Sequence, residues 1–247
     1  MKLRASLRYQ LYSYLMPMAI FYGVIIGLNL ISVVERITLS NIQISITGTD
    51  VSTLIFIFVL GLNSVRESFR MMAVNGRTRK TAFFSIALGT LIASAFMALI
   101  DMLIRPVFAP FFDNFNTLYD MLYGRAQGVS GIFVEYGWRV ALYTGVALTG
   151  VWITTLYYRM NKAGKIGVSV GVPAFLFFAL PMLNSANDGI GRAITAVMNA
   201  IAAAIKYMFG FGGTVPVPAM FCLWGTILFL IAAGIFWVCI RRAPVRE

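Results

Sequence analysis

The sequence predicts an all-α integral membrane protein with six transmembrane helices, an N-terminal interfacial helix, and outer re-entrant helices between spans five and six. Three observations lead there. The 247 residues are 60% hydrophobic with a mean hydropathy of +0.83, a composition that soluble domains do not reach. The apolar residues fall in stretches near the length that crosses a hydrocarbon core of about 30 Å. Charge is segregated between alternate connections. The stretches are apolar all round, without the alternation of membrane-barrel strands, and an open sheet in lipid would leave backbone groups unpaired.

The elements follow in order. Residues 2–14 are basic and aromatic, and Leu3, Leu7, Leu11 and Leu15 recur every four residues. That stripe predicts a helix on the inner membrane surface, the alternative being a first span that simply projects from the membrane. The spans are 14–34, 51–65, 83–104, 138–158, 166–183 and 219–240. The second is short, but 63–73 holds no helix breaker, so its helix should continue past the membrane. Residues 37–50, polar and β-branched, suit a short hairpin or an extended outer loop. In 105–137, Pro106 and Pro110 should stop the third helix. Phe108, Phe111, Phe112, Phe115, Tyr119 and Tyr123 make that segment an aromatic belt at the interface or a cap over a substrate. Asn187 or Asp188 can cap a helix reaching about Phe209. We expect it to re-enter the membrane or lie on its surface, closed by Gly210, Gly212 and Gly213. A seventh span there would put Arg241 and Arg242 outside. Spans and loops use nearly the whole chain, so 1–247 reads as a single transmembrane domain.

Orientation follows from the basic residues. Of the 20 lysines and arginines, fourteen lie at the two ends and in two short loops: Lys2, Arg4, Arg8, Arg66, Arg70, Arg77, Arg79, Lys80, Arg159, Lys162, Lys165, Arg241, Arg242 and Arg246. Of the nine acids, Glu35, Asp50, Asp101, Asp113, Asp120, Glu135 and Asp188 lie on the other side. Short basic loops stay cytoplasmic. The chain is therefore expected to be a multi-pass cell-membrane protein with both termini in the cytoplasm, its first span an uncleaved anchor.

The net charge of +11 is accounted for by this topology, and there is no soluble basic face for nucleic acid. There is no histidine, the commonest metal ligand and near-neutral proton carrier, and no Cys, Asp or Glu set has ligand spacing. Cys222 and Cys239, 17 residues apart on one span, would stand roughly 25 Å apart along a helix and cannot pair within it. The run from Gly76 to Thr81 lacks the glycine and strand of a phosphate loop. The chain is thus not expected to be catalytic, nor to bind ATP by itself.

Few charges interrupt the spans. Asp101 and Arg105, at i and i+4, are expected to pair on one helix face, with Arg139 at the start of span four. Otherwise the interiors offer Asn29, Asn63, serines and threonines, and no acid is expected at mid-membrane. Gly23 and Gly27 form a small-xxx-small motif that suits either a dimer contact or packing within the chain.

The sharpest signal is the loop Arg66-Glu-Ser-Phe-Arg70-Met-Met-Ala-Val-Asn75-Gly76-Arg77-Thr-Arg79-Lys80-Thr81. A plain topological loop needs only the charges, whereas Phe69, Met71, Met72 and Val74 call for burial against something. Phe69, Arg70, Met72, Asn75, Gly76, Thr78, Arg79, Lys80 and Phe83 or Phe84 make a pattern that resembles the membrane subunits of type-2 ABC exporters. The resemblance also takes in the arrangement of the spans. It implies a permease subunit that docks a separate ABC ATP-binding subunit, which holds ATP and Mg, and that pairs with an identical or homologous second permease in the lipid bilayer. It implies an ATPase-coupling site at Arg66, Phe69, Arg70, Met72, Asn75, Gly76 and Arg77, with a smaller contact around Met160 and Asn161. Spans one, two and five would line a path, with Asn29, Asn63, Phe56 and Phe175 touching amphipathic or hydrophobic cargo (peptide, drug or lipid-like). The alternative is a stand-alone channel or accessory scaffold that works without an ATPase.

Overall fold

The computed structural model describes residues 2–38, 45–47, 49–74, 78–112, 114–175, 177, 189–213 and 216–241, except for the side chains of 2, 45–47, 66–74, 158–159, 172, 189–194, 236 and 239–241. These residues form an all-α bundle with one minimal pair of strands. Helix α1 (Lys2–Thr38) is uninterrupted over 37 residues. Ser6, Gln10, Tyr14, Met18, Tyr22, Ile25 and Asn29 are its buried stripe, and steps of four and three keep them on one helical face. The N-terminal stretch therefore continues the first span instead of turning aside as a separate interfacial helix. Leu3 and Leu15 of the expected leucine stripe point outward.

Helix α2 (Thr49–Val74) continues past its apolar part, as expected from the absence of a breaker. Helix α3 (Arg79–Phe108) is capped by Thr78, whose hydroxyl accepts the Thr81 N–H at 3.3 Å. Pro106 falls in its last turn, and a 3-10 turn containing Pro110 (Ala109–Phe111) ends it. The strand β1 (Ser45–Thr47) finds its partner in the next loop: β2 (Asn114–Asn116) pairs with it in parallel, Ile46 opposite Phe115. The two connections at this end are thereby joined, which neither a hairpin nor a free loop would do. Helix α4 (Leu118–Tyr123) begins with a capping box, Thr117 and Asp120 each satisfying the other's backbone N–H. Then come α5 (Gly128–Arg159), α6 (Lys162–Ile166), a π-helical stretch Gly167–Gly171, one helical turn Val172–Ala174, α7 (Gly189–Met208) and α8 (Pro218–Arg241).

Among the described residues, four helical stretches are long and apolar enough to cross a membrane: Leu3–Thr38, Arg79–Phe111, Gly128–Tyr157 and Pro218–Ile235. Thr49–Val65, the apolar part of α2, is shorter. Of the expected span 166–183, the first part is π-helical and 178–183 lie outside the described residues. Asn187 and Asp188, the expected caps of α7, also lie outside them.

Helix α5 is the centre, packed on α2, α3 and α8, while α1 rests on α3 and more lightly on α2. Glycine sets the closest crossing. A Cβ on Gly61 would stand 2.1 Å from the Ala147 carbonyl oxygen, and one on Gly150 would stand 2.5 Å from that of Phe58. The backbones of α2 and α5 thus touch directly, as small residues allow in lipid. Gly23 and Gly27, the motif expected to serve this purpose or a dimer contact, have nothing within 4 Å of an added Cβ. Among the described residues they pack no helix of this chain.

The bundle has two unlike ends. One gathers Asp50, Asp101, Asp120 and Glu135 with the strand pair and α4. Tyr119, Trp138 and Phe221 seal its flank, where the Tyr123 ring stacks on Phe211 at 5.4 Å and the Tyr123 hydroxyl donates to the Phe209 carbonyl at 2.6 Å. The other end holds Val65, Ala82, Phe83, Ile86 and Val151, next to the basic connections.

Candidate functional site

The densest polar chemistry lies at the acidic end, where the spans were expected to be nearly free of it. Arg139 of α5 is completely buried. Its Nη1 reaches Asp50 Oδ1 of α2 at 2.7 Å, and its Nη2 reaches Glu135 Oε1, one turn away on α5, at 2.9 Å. Asp50 also accepts the Leu118 N–H at 2.8 Å, so it holds the start of α4. Arg105 of α3 pairs with Asp120 at 2.9 Å and more distantly with Glu135 at 3.4 Å. One network therefore ties α2, α3, α4 and α5. Buried charge is tolerable only when paired and hydrogen-bonded, and here each arginine meets two carboxylates.

The expected Asp101–Arg105 pair does not form. Arg105 turns to Asp120 and Glu135, while Asp101 turns to two phenols. Tyr143 donates to its Oδ2 at 2.6 Å, and the Tyr22 hydroxyl lies 3.0 Å from its Oδ1. Asp101 is only 7% exposed. The i, i+4 spacing permitted the pair, but partners brought in by α1, α4 and α5 offered closer contacts. Tyr22, Asp50, Asp120, Glu135 and Tyr143 were not singled out as one site from the sequence. An isolated acid in a 30-residue apolar helix, and the Glu135–Arg139 spacing, were the signals available.

The expected coupling residues fall differently. The side chains of Arg66, Phe69, Arg70 and Met72 lie outside the described residues, as do Asn75, Gly76 and Arg77 altogether. The backbone of 66–74 is helical and continuous with α2. Met160 and Asn161 form the break between α5 and α6: Met160 is the extended C-cap of α5 and Asn161 the N-cap of α6.

Of the expected path residues, two come together and two do not. Phe56 and Asn63 of α2 line a groove against α1. Cavities of about 720 Å³ and 200 Å³ there share Ser13, Pro17 and Phe56. The Phe21 and Phe56 rings stack at 4.3 Å in its wall. Pro17 has no N–H to give the Ser13 carbonyl, which is left without its helical donor. Asn29 is buried and bonds back to the Ile25 carbonyl at 2.8 Å. Phe175 is half exposed and lines neither cavity. Among the described residues, no cluster of His, Cys, Asp or Glu has the arrangement of a metal site.

No family model matches the chain, and neither a curated protein nor a solved structure does.

Proposed function

We propose that this chain is the permease subunit of an ATP-driven ABC exporter that moves amphipathic or hydrophobic cargo. One observation carries the reading: α2 does not end with its apolar part at Val65 but runs on to Val74. Nine helical residues add about 13 Å, a rigid arm that bears the basic and apolar stretch from Arg66 and is continuous with a membrane helix. An arm of that kind suits the transfer of force from a soluble motor. The α5–α6 break at Met160 and Asn161 would be the smaller contact. With the basic end in the cytoplasm, the acidic network would brace the outer ends of α2, α3 and α5, so that a push on the arm tilts α2 as a lever. The groove between α1 and α2, apolar apart from Ser13, Asn63, Ser64 and the phenols of Tyr12 and Tyr14, suits a greasy cargo with few polar groups. ATP and Mg would sit on the partner subunit, and a second permease subunit would complete the path.

The test is co-purification with an ATP-binding subunit encoded beside this chain. Phe69→Asp combined with Met72→Asp should abolish the association and ATP-dependent export while leaving the permease in the membrane. Retained association and export with both aspartates would reject the coupling arm. Transport by the purified chain alone in nucleotide-free vesicles would favour the stand-alone channel.

A further inference from the structure

We propose that Asp101 is a proton-binding site whose bound proton pins α1 to α3 and α5. The geometry has a place for one more hydrogen than an ionised carboxylate supplies. The Tyr22 hydroxyl lies 3.0 Å from the Met97 carbonyl oxygen and also 3.0 Å from Asp101 Oδ1. It owns a single hydrogen, so with an ionised Asp101 it either bonds one of the two oxygens or splits that hydrogen between them in a weaker three-centre bond. A protonated Asp101 supplies the further hydrogen: Oδ1–H donates to the Tyr22 oxygen, Tyr22 donates to the Met97 carbonyl, and Tyr143 donates to Oδ2 at 2.6 Å. Every contact is then a hydrogen bond.

The charges around the site agree. The groups that face Asp101 are Tyr22 from α1, Asp50 from α2, and Arg139 and Tyr143 from α5. Arg139 is committed to Asp50 and Glu135, and Arg105, on Asp101's own helix, to Asp120 and Glu135. Among the described residues no cation pairs with Asp101. Ionised, the cluster of Asp50, Asp101, Asp120 and Glu135 would hold four negative charges against two positive ones, away from water.

This proton has a mechanical consequence. Among the described residues Tyr22 is the one residue of α1 bonded to Asp101. When α1 leaves α3, water reaches the carboxyl, the proton passes from Oδ1 to water, and Tyr22 turns its hydrogen elsewhere. Raising the pH therefore favours separation of α1, and lowering it favours the closed pin. The inference holds whether or not the exporter reading does.

Infrared difference spectroscopy of the full chain in lipid vesicles at neutral pH tests it directly. The wild type should show the C=O stretch of a protonated carboxylic acid, sensitive to deuterium exchange and absent in Asp101→Asn. Should that variant fail to accumulate, Tyr22→Phe and Tyr143→Phe replace it, since each removes one partner of the carboxyl and must shift the band. A wild-type spectrum with no such band overturns the proposal. So does a band that survives Asp101→Asn, or one that moves in neither phenylalanine variant.

Discussion

Replacing Arg139 with methionine tests the buried network most severely. The guanidinium is fully buried between Asp50 at 2.7 Å and Glu135 at 2.9 Å. Methionine keeps much of the volume and removes the charge. Glu135 would retain only Arg105 at 3.4 Å, and Asp50 only the Leu118 N–H at 2.8 Å. Removing one partner of a buried pair costs about 3–5 kcal/mol, because an uncompensated charge stays behind. For a chain of this size each kcal/mol shifts the melting temperature by about 2–4 °C, so a fall of roughly 6–20 °C is expected. The assay is thermal unfolding of the detergent-purified protein followed by tryptophan fluorescence. The triple variant Arg139→Met, Asp50→Asn, Glu135→Gln should recover most of the loss, since no stranded charge remains. A single variant that melts within about 2 °C of the wild type would show that the three groups do not carry their charges buried, and the account of the acidic end would be wrong.

Two further outcomes follow from the packing. Gly61→Ala and Gly150→Ala should each sharply lower the yield of folded protein, because the new methyl meets backbone carbonyl oxygens at 2.1 Å and 2.5 Å. Gly145→Ala, on the same helix α5 but with nothing within 4 Å, should be neutral or stabilising by about 0.5–1 kcal/mol; equal behaviour of the three would refute the α2–α5 crossing. Tyr119 and Tyr123 of α4 are pushed above the ordinary phenol value by burial, Tyr119 also by the nearby Glu135 carboxylate. Their neutral forms therefore stabilise the folded chain fully below pH of about 10, and that contribution is lost as the pH rises through their native values. Tyr119→Phe with Tyr123→Phe should flatten the alkaline arm of the stability profile, measured by urea unfolding, and an unchanged arm would count against their burial.

Much of the architecture was legible because it depends on local properties. Apolar stretches of sufficient length become helices wherever water is excluded, since each backbone N–H is satisfied within its own segment. The continuation of α2 past Val65 followed from the lack of a breaker, and the end of α3 from Pro110, whereas Pro106 is carried inside the last turn of that helix instead of stopping it. The leucine stripe misled because any α-helix rich in leucine shows four-residue spacing on some face. What decided the buried face of α1 was the stripe from Ser6 to Asn29, half polar and therefore invisible to a search for apolar periodicity. The parallel β1–β2 pair escaped for a related reason: three-residue strands carry too little pattern to register, and each needs the other loop beside it.

The sequence by itself determined that this chain forms long apolar helices, that its acids and bases gather at opposite ends, and that nothing in it has the spacing of a metal or hydrolytic site. Only the tertiary structure decided which charge answers which. Asp50 and Arg139 are separated by 89 residues and meet at 2.7 Å; Tyr22 and Asp101 are separated by 79 and meet at 3.0 Å. The same holds for glycine: Gly23 and Gly27 carry the recognisable motif, yet among the described residues nothing lies within 4 Å of a Cβ added there, while Gly61 and Gly150 bring α2 and α5 into backbone contact. A residue's type sets what it can bond. The rotation and crossing of its helix set what it is offered, and those depend on the packing of all the others at once.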